Sequence, residues 1–378
     1  MLQSIQNMRL LSIKWALTAC FLFLSASLFA NEEATSAVEK FDPGKMITEH
    51  ISDSHGWHLW GHTTVPLPII VYNSQRGLSC FSSSRFEHGH KTYGGYKLEE
   101  NTIVAVDQME EMDASLATVS EELTDSTFDI SITKNVFSLL FSITLMIWMF
   151  MSVANSYKRR AGEAPKGMQS FVEPLIVFVR DEIAKPSIGH KKYERYMPYL
   201  LTVFFFIWIN NLLGLIPIMP GGANLTGNIA VTMTLAVITF VITTISGNKH
   251  YWRHIFAMPG VPIGVLILLT PIEILGVILR PFVLMIRLFA NMAAGHIIAL
   301  SFFSLIFIFG EMNTGLGLGV SVLSVGFVIF MTFLELLVAF LQAYVFALLS
   351  AIYFGAATEE HDHHHDGVDA HVEESLLV

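Results

Sequence analysis

The sequence predicts an all-α polytopic membrane protein with about five spanning helices and a small N-terminal soluble region of mixed or β character. Three observations predict this class. Of the 378 residues, 53% are hydrophobic and only 14% are charged, which excludes an ordinary soluble globular protein. Apolar runs of about 20 residues recur after residue 130, whereas polar, turn-rich sequence precedes them. The net charge of -10 is concentrated in the N-terminal part and the C-terminal tail, so nucleic-acid binding is not indicated.

Residues 1–30 have the pattern of a cleaved secretory signal peptide. Two basic residues precede an apolar run from Trp15 to Ala30 that is short for a membrane span and ends in small residues, which predicts cleavage near Ala30. A retained signal anchor and a lipoprotein-type modification at Cys20 are the alternatives. After cleavage Cys80 is the remaining cysteine, so the mature chain forms no intrachain disulfide.

Residues 31–129 predict a soluble extension outside the membrane, in the periplasm. Short β-type pieces such as Val65 to Tyr72 alternate with turn signals at Gly77 and Gly94-Gly95. An acidic segment near Met109 to Leu123 has a helical pattern. No motif in this extension indicates a function.

A membrane domain is predicted over residues 130–358. Its five apolar runs lie near Lys134 to Tyr157, Met197 to Pro217, Asn228 to Gly247, Val261 to Phe307 and Gly315 to Phe354. If fully helical, the last two would be about 70 Å and 60 Å long. They must therefore be strongly tilted, bent or folded back as hairpins.

The basic residues between the spans predict the orientation. They cluster in the loop after the first span and in the short loop after the third, which places both loops in the cytoplasm. The N-terminal region then lies outside and the C-terminus inside, in agreement with the signal peptide. The residues are Lys158, Arg159, Arg160, Lys166, Arg180, Lys185, Lys191, Lys192 and Arg195 in the first loop, and Lys249 and Arg253 in the second.

The tail, residues 359–378, is rich in histidine and acidic residues, including His361 and His363 to His365. It lacks the apolar content needed to fold, which predicts a disordered, solvated cytoplasmic tail. Divalent-metal binding is the alternative.

The long fourth and fifth apolar runs carry few ionisable groups. The fourth contains Glu273, Arg280, Arg287 and His296, and the fifth contains Glu335. A charge at mid-membrane costs at least about 2.5 to 3.5 kcal/mol, and a guanidinium does not lose its proton. Such groups indicate ion movement, although Arg280 beside a proline is more simply explained by snorkelling or structural pairing.

Helical spacing predicts how these groups are arranged. At about 100° per residue, Glu273, Arg287 and Asn291 share one stripe, whereas His296 falls about 180° from Arg287. Glu335 and Gln342 are seven residues apart and share one face of the last helix. The layout suits two proton paths separated by a fixed cation.

Three motifs carry a family resemblance. The run Ile286-Arg287-Leu288-Phe289-Ala290-Asn291-Met292-Ala293-Ala294-Gly295-His296 resembles the signature of subunit a of the F-type ATP synthase. Asn210-Asn211-Leu212-Leu213-Gly214-Leu215-Ile216-Pro217 resembles that family's second-span motif. Glu335 to Gln342, followed by Ala343-Tyr344-Val345-Phe346, resembles its last helix. The resemblance covers roughly residues 127–360 and does not explain the N-terminal extension.

The resemblance implies a role for each site residue. Arg287 would face a c-ring, attract the ionised carboxylates of passing c subunits and block direct proton flow, and Asn291 would help to hold the ring-facing surface. His296 and Glu335 resemble a Glu and His pair that other members carry in swapped order. The external access path would also contain Gln342 and Asn210 or Asn211, and Glu273 would lie on the cytoplasmic exit path.

The expected function is therefore that of a proton-translocating stator subunit in a bacterial inner membrane, without catalysis or cofactors of its own. Its implied partners are the c-ring, the peripheral-stalk b subunits, indirectly the F1 sector, and the bilayer. Sodium is the alternative ion. A secondary transporter that uses Arg287 to hold an anionic substrate is the rival class, but the sequence shows no internal repeat. An intramembrane hydrolase would need a nucleophile and base or a metal motif that the sequence lacks. The simplest alternatives for Glu335, Asn210 and Asn211 are inter-helical hydrogen bonds.

Overall fold

A computed structural model describes residues 42–60, 63–99, 101–160, 162–216, 219–258 and 261–359. The signal peptide predicted for residues 1–30 and the tail from residue 360 onward lie outside the described residues. The described chain from Pro43 belongs to one compact unit. It combines a strand-rich N-terminal domain with a bundle of long helices.

The described part of the N-terminal domain contains three small antiparallel sheets, as the β-type pieces predict. Strands β1 and β2 pair with each other, β3 lies between β4 and β7, and β5 pairs with β6. Along β3, Ile69 and Val71 point into a core that also contains Phe86 and Tyr96. The elements are α1 (Pro43–Ile51), β1 (Gly56–Trp60), β2 (Thr63–Pro66), β3 (Pro68–Asn73), β4 (Gly77–Ser82), a 3-10 segment (Ser83–Gly89), β5 (Tyr96–Glu99), β6 (Thr102–Ala105), α2 (Glu121–Asp125) and β7 (Thr127–Asp129).

The acidic helix predicted near Met109 to Leu123 is wrong. Only α2 is helical in this region, and it starts after Ser120. Before it, the carboxylate of Asp113 accepts hydrogen bonds from the backbone N–H and the hydroxyl of Ser115, at 2.9 and 2.6 Å. Such local side-chain bonds favour a turn over a helix, because they replace the backbone bonds that a helix would make.

A pair of a buried histidine and a partly exposed aspartate joins the two ends of the domain. His55, only 4% exposed, donates from Nε2 to Asp129 Oδ2 at 2.8 Å. Burial acts to raise the pKa of Asp129, but the hydrogen bonds from His55 and Ser131 outweigh it and lower that pKa. The ionised carboxylate therefore stabilises the junction between β7 and the start of the first long helix.

Among the described residues, five helices are long and apolar enough to span a membrane, and their ends lie within a few residues of the predicted spans. They are α3 (Lys134–Arg159), α6 (Tyr193–Leu215), α7 (Ile229–Ser246), α9 (Ile263–Met312) and α10 (Thr314–Thr358). At 1.5 Å per residue α9 and α10 are about 75 Å and 68 Å long, more than twice a hydrocarbon core. Each is one helix, so the alternative in which either run folds back on itself is wrong, and tilting or bending must accommodate the length.

The sharp turn between α9 and α10 depends on one residue. Asn313 has an extended backbone, and its side-chain oxygen accepts the N–H of Gly315 at 2.7 Å, which caps α10. Beyond the turn the two helices approach closely, because a Cβ on Gly317 would lie 2.7 Å from Gly310 Cα. Small residues such as glycine commonly allow helices in a membrane to approach this closely.

Sequence reasoning treated the two basic loops as plain connections, but both contain helices. The first holds α4 (Met168–Phe178), a π-helical segment (Val179–Ala184) and α5 (Lys185–Ile188), and the second holds α8 (Lys249–Phe256). In the first, Arg180 and Lys185 both donate to the carboxylate of Asp181. These two hydrogen bonds lower the pKa of Asp181 well below its usual range.

The bundle is centred on α6 and α10, whose aromatic side chains form much of its core. Tyr196 stacks on Phe354 with ring centroids 4.8 Å apart. At Gly355 the backbone of α5 packs so closely on α10 that a Cβ would overlap the Ser187 carbonyl. Because successive spans alternate in direction, the α6–α7 and α9–α10 connections lie on the side that carries the N-terminal domain, called here the domain side.

Candidate ion-translocation site

Arg287 lies on the exposed face of α9. Its neighbours on that face, Val283 and Asn291, are also exposed, whereas Met285 and Met292 on the opposite face are buried against the bundle. Within the described part of the chain, Arg287 makes no hydrogen bond or ion pair. The structure therefore presents one guanidinium on an apolar surface that nothing in the described chain covers.

His296 and Glu335 lie on the covered side of the same helix. A Cβ on Gly295 would be 2.6 Å from Glu335 Oε1, so the Glu335 carboxyl group packs directly on the α9 backbone beside His296. A Cβ on Gly214 of α6 would be 3.7 Å from His296 Nε2, so the imidazole is directed toward α6. The two glycines thus leave room for the two titratable side chains between α6, α9 and α10.

Both groups have polar atoms without a partner. His296 Nε2 and Glu335 Oε1 are buried and have no hydrogen bond to any described residue. Buried polar atoms are nearly always hydrogen-bonded in proteins, to protein groups or to water. A cluster of such atoms is therefore a place where water and protons can be accommodated.

Asn211 is a fully buried link between helices. Its Nδ2 donates to the Ala339 carbonyl of α10 at 3.2 Å, and its Oδ1 accepts the hydroxyl of Thr226 at 2.6 Å. Ala339 is one helical turn beyond Glu335. The inter-helical hydrogen bond offered as the simpler explanation for Asn211 is therefore present, close to the acid.

Asn210 and Gln342 complete this group. Asn210 Nδ2 donates to Phe206 O at 2.7 Å, but its buried Oδ1 has no partner among the described residues. Gln342 is 8% exposed and lies on the buried side of α10, less than one turn beyond Ala339. Five of the eight predicted site residues thus lie on the covered side of α9, and Arg287 and Asn291 lie on its exposed side.

Glu273 lies apart from both sets, toward the opposite end of α9. Its Oε1 is 3.9 Å from Arg280 Nη2 and 4.0 Å from His254 Nδ1 of α8. The guanidinium of Arg280 lies 5.7 Å from the centre of the Tyr353 ring. Arg280 is therefore paired structurally, and it borders a small cavity between α7, α8, α9 and α10 that is also lined by Thr239, Thr243, Tyr251 and Tyr353.

Sequence reasoning missed several uncharged polar groups of the covered side. Asn224 and Thr226 of the α6–α7 connection and Asn135 and Ser138 of α3 are buried. Single amides and hydroxyls in apolar or loop sequence have no distinctive spacing, so no signal in the sequence could single them out. The unpartnered atoms of Asn135, Ser138 and Asn224, and the bond from Thr226 to Asn211, become visible only after folding.

Comparison with known proteins gives two family matches. The sequence model of the ATP synthase A chain family matches residues 136–355, more than half of the chain. A family described as a domain of unknown function (DUF8433) matches residues 46–130, which correspond to the N-terminal domain.

Proteins similar to this chain carry the corresponding name. ATP synthase subunit a 2 of Chlorobaculum tepidum is 49% identical over 246 residues, which are 64% of this chain and 66% of the relative. ATP synthase subunit a of Chloroherpeton thalassium is 42% identical over 250 residues, 65% of this chain and 71% of the relative. ATP synthase subunit a of Myxococcus xanthus is 41% identical over 261 residues, 66% of this chain and 80% of the relative.

Proposed function

This chain belongs to the ATP synthase A chain family, and from that membership we propose that it forms two proton half-channels beside a c-ring. It is a multi-pass membrane subunit of the ATP synthase and is not catalytic by itself. In the proposal, one half-channel delivers protons to the ring carboxylates and the other receives them. The stator thereby couples downhill proton flow to rotation and to ATP synthesis in the F1 sector.

The observation that carries the proposal is the exposed guanidinium of Arg287. A cation left in the hydrocarbon costs at least about 2.5 to 3.5 kcal/mol, so a partner is required. Ionised carboxylates of a c-ring docked on the exposed face of α9 would supply that partner. Arg287 would attract each carboxylate while it is ionised. The same fixed positive charge would prevent protons from passing directly from one half-channel to the other.

The outer half-channel is assigned to the covered side of α9. The unpartnered atoms of Asn210, His296 and Glu335 support a wet path on the domain side. Imidazole and carboxyl groups can both exchange protons there. Asn211 and Gln342 would shape this path, Asn211 by tying α6 to α10.

The inner half-channel is assigned to the opposite end of the bundle. Glu273, Arg280 and His254 surround a polar, partly exposed region next to the small cavity. Glu273 would accept protons released near Arg287 and pass them to the cytoplasm. Arg287 would separate this path from the one that contains His296.

The proposed setting is a bacterial inner membrane with the N-terminal domain in the periplasm and the C-terminus in the cytoplasm. The basic connections that contain α4, α5 and α8 would then face the cytoplasm, as the charge distribution predicts. Exposed apolar side chains on α3, α7 and α9 are available to lipid, to the c-ring and to the peripheral-stalk b subunits.

The test is ATP-driven proton pumping in inverted membrane vesicles that contain the assembled complex. Arg287→Ala should abolish pumping because the ring acids lose their fixed partner. Arg253→Ala is the matched control, since Arg253 is an exposed arginine of α8 outside the spanning helices. Coupled pumping by Arg287→Ala at the level of the control would overturn the proposal.

A further inference from the structure

The N-terminal domain lies outside the part of the chain that matches the ATP synthase A chain family, yet it contacts the translocation helix. Helix α1 packs against α9. A domain that is merely tethered to the bundle would not need a helix–helix contact of this kind. The position of α1 against α9 therefore indicates that the N-terminal domain contributes to proton translocation.

A dense set of hydrogen bonds fixes the C-terminal end of α1 to the start of α3. The ammonium of Lys134 donates to the carbonyls of His50 and Ser52 at 3.2 and 3.1 Å. The carboxylate of Asp53 accepts the Thr133 hydroxyl at 2.7 Å and the Asn135 backbone N–H at 3.0 Å. Cations are favoured at the C-terminal end of a helix, where unpaired carbonyls accumulate, so Lys134 holds α1 in place.

This junction is close to the proposed path. The junction lies at the end of α1, which packs against α9, the helix that carries His296. Lys134 is only 7% exposed, and the carboxylate of Asp53 accepts hydrogen bonds from Thr133 and Asn135, the two chain neighbours of Lys134. The end of α1 and the first turn of α3 are thus bonded into one unit, and its α1 part lies against the helix that carries His296.

A polar stripe continues from this point along α3. Asn135, Ser138 and Ser142 are 6%, 1% and 0% exposed, and Lys134, Ser138 and Ser142 follow one another at four-residue intervals on one face. Asn135 Oδ1 and Ser138 Oγ have no hydrogen-bond partner among the described residues. Both are therefore available to ordered water, as are the unpartnered atoms of Asn210, His296 and Glu335.

We propose that the N-terminal domain forms the outer wall of the proton access path, with the path running between α1 and the polar stripe of α3 to His296. Asn135 and Ser138 hold water along it, and Lys134 is a positioning residue that keeps α1 over its mouth. This inference rests on the proposed function, because it extends the outer half-channel. The occupants of the path are water and protons.

The first experiment measures ATP-driven proton pumping in inverted vesicles of the full complex. Ser138→Leu and Asn135→Leu replace water-holding groups by apolar bulk and should slow pumping about tenfold or more. Thr144→Leu is the matched control, because Thr144 is exposed on the same helix and its hydroxyl bonds back to Leu140 O. Pumping by both leucine variants at the control level would refute the access path.

Arg287→Ala, measured alongside, separates the two proposals. If Arg287→Ala still pumps, the proposed function itself fails. If Arg287→Ala abolishes pumping while the two leucine variants match Thr144→Leu, only the access path fails. Complex content is measured in each membrane, so that loss of assembly is distinguished from loss of conduction.

A second measurement decides the question if the leucine variants do not assemble. In a background with Cys20→Ser and Cys80→Ser, Ser138→Cys should react with silver ions added from the periplasmic side and lose proton conduction. Thr144→Cys, on the exposed face, should be insensitive. Equal insensitivity of both cysteine variants would contradict a water-filled path at Ser138.

The contribution of α1 is tested by labelling. His50→Cys, in a background with Cys20→Ser and Cys80→Ser, should conduct protons more slowly after reaction with a bulky maleimide, because the label would obstruct the outer end of the path. The same label on native Cys80, exposed on β4 of the same domain, should leave conduction unchanged. Equal conduction by the two labelled proteins would show that α1 does not border the path.

Discussion

Gly295 allows a direct test of how Glu335 is positioned. A methyl group added in Gly295→Ala would lie 2.6 Å from Glu335 Oε1 and 3.2 Å from its Cδ and Cγ. Ordinary contacts between such atoms are about 3.5 to 4.0 Å. The carboxyl group must therefore move by about 1 Å, and the flexible side chain allows it to do so without disturbing the backbone.

The expected effect is on proton transfer and not on folding. A displacement of about 1 Å in a reacting group can cost about 100-fold in rate, so ATP-driven pumping should fall by about 10- to 100-fold. Alanine in place of glycine within a helix interior is favourable by about 0.5 to 1 kcal/mol. The variant should consequently assemble in normal amounts.

The assay compares pumping by Gly295→Ala and Gly264→Ala in inverted vesicles with equal amounts of complex. Gly264 is also in α9, but a Cβ there would meet nothing within 4 Å. Pumping by Gly264→Ala should equal that of the native protein. If Gly295→Ala pumps as fast as Gly264→Ala, the position of the Glu335 carboxyl group does not matter for transport and the reasoning is wrong.

Three further predictions concern the path, the N-terminal domain and the bundle. The double variant His296→Glu with Glu335→His should pump faster than either single variant, and equal loss in all three would show that the side chains do not cooperate. Ionised Asp129 stabilises the folded N-terminal domain. This stabilisation is present above the pKa that Asp129 has in the unfolded chain, and it is lost as the pH falls through the lower pKa of Asp129 in the folded protein. Hydrogen exchange of β7, corrected for its intrinsic rate, should therefore rise on acidification in the native protein and change less in Asp129→Asn. Gly355→Ala should lower the unfolding temperature of the purified complex, because overpacking against the α5 backbone costs about 1 to 3 kcal/mol. Gly326→Ala is the control and should leave the unfolding temperature unchanged, because a Cβ at Gly326 would meet nothing within 4 Å.

The five spanning helices could be predicted from the sequence because their signal is local. An apolar run of about 20 residues must be helical in lipid, where every backbone polar group needs an internal partner. The predicted first span started at Lys134, and α3 starts there because the Thr133 side chain caps it. The single-helix nature of α9 was less predictable, because Pro271 and Pro281 interrupt the backbone hydrogen-bond ladder but do not end the helix.

The other parts of the fold and of the site could not be predicted, because they depend on contacts between residues that are distant in the sequence. The π-helical segment and α5 pack against α10, and no apolar period in the basic loop indicates them. The helix predicted near Met109 to Leu123 failed because a side-chain turn at Asp113 competes with it. Neither the location of α1 against α9 nor the burial of Ser138 follows from any local pattern, because each is decided by which elements meet.

Arg287 and His296 point in opposite directions from α9, and this arrangement has a physical reason. Arg287 and His296 are nine residues apart, which on a helix is about half a turn in direction and about 13.5 Å in height. If the Arg287 side chain pointed toward α10 and the Glu335 carboxyl group, the two groups would form a buried ion pair. Removing one partner of such a pair costs about 3 to 5 kcal/mol, so the acid would stay ionised and fixed. Placing the guanidinium on the exposed face leaves the Glu335 carboxyl group unpaired among the described residues, and an unpaired acid is the one that can take up and release protons.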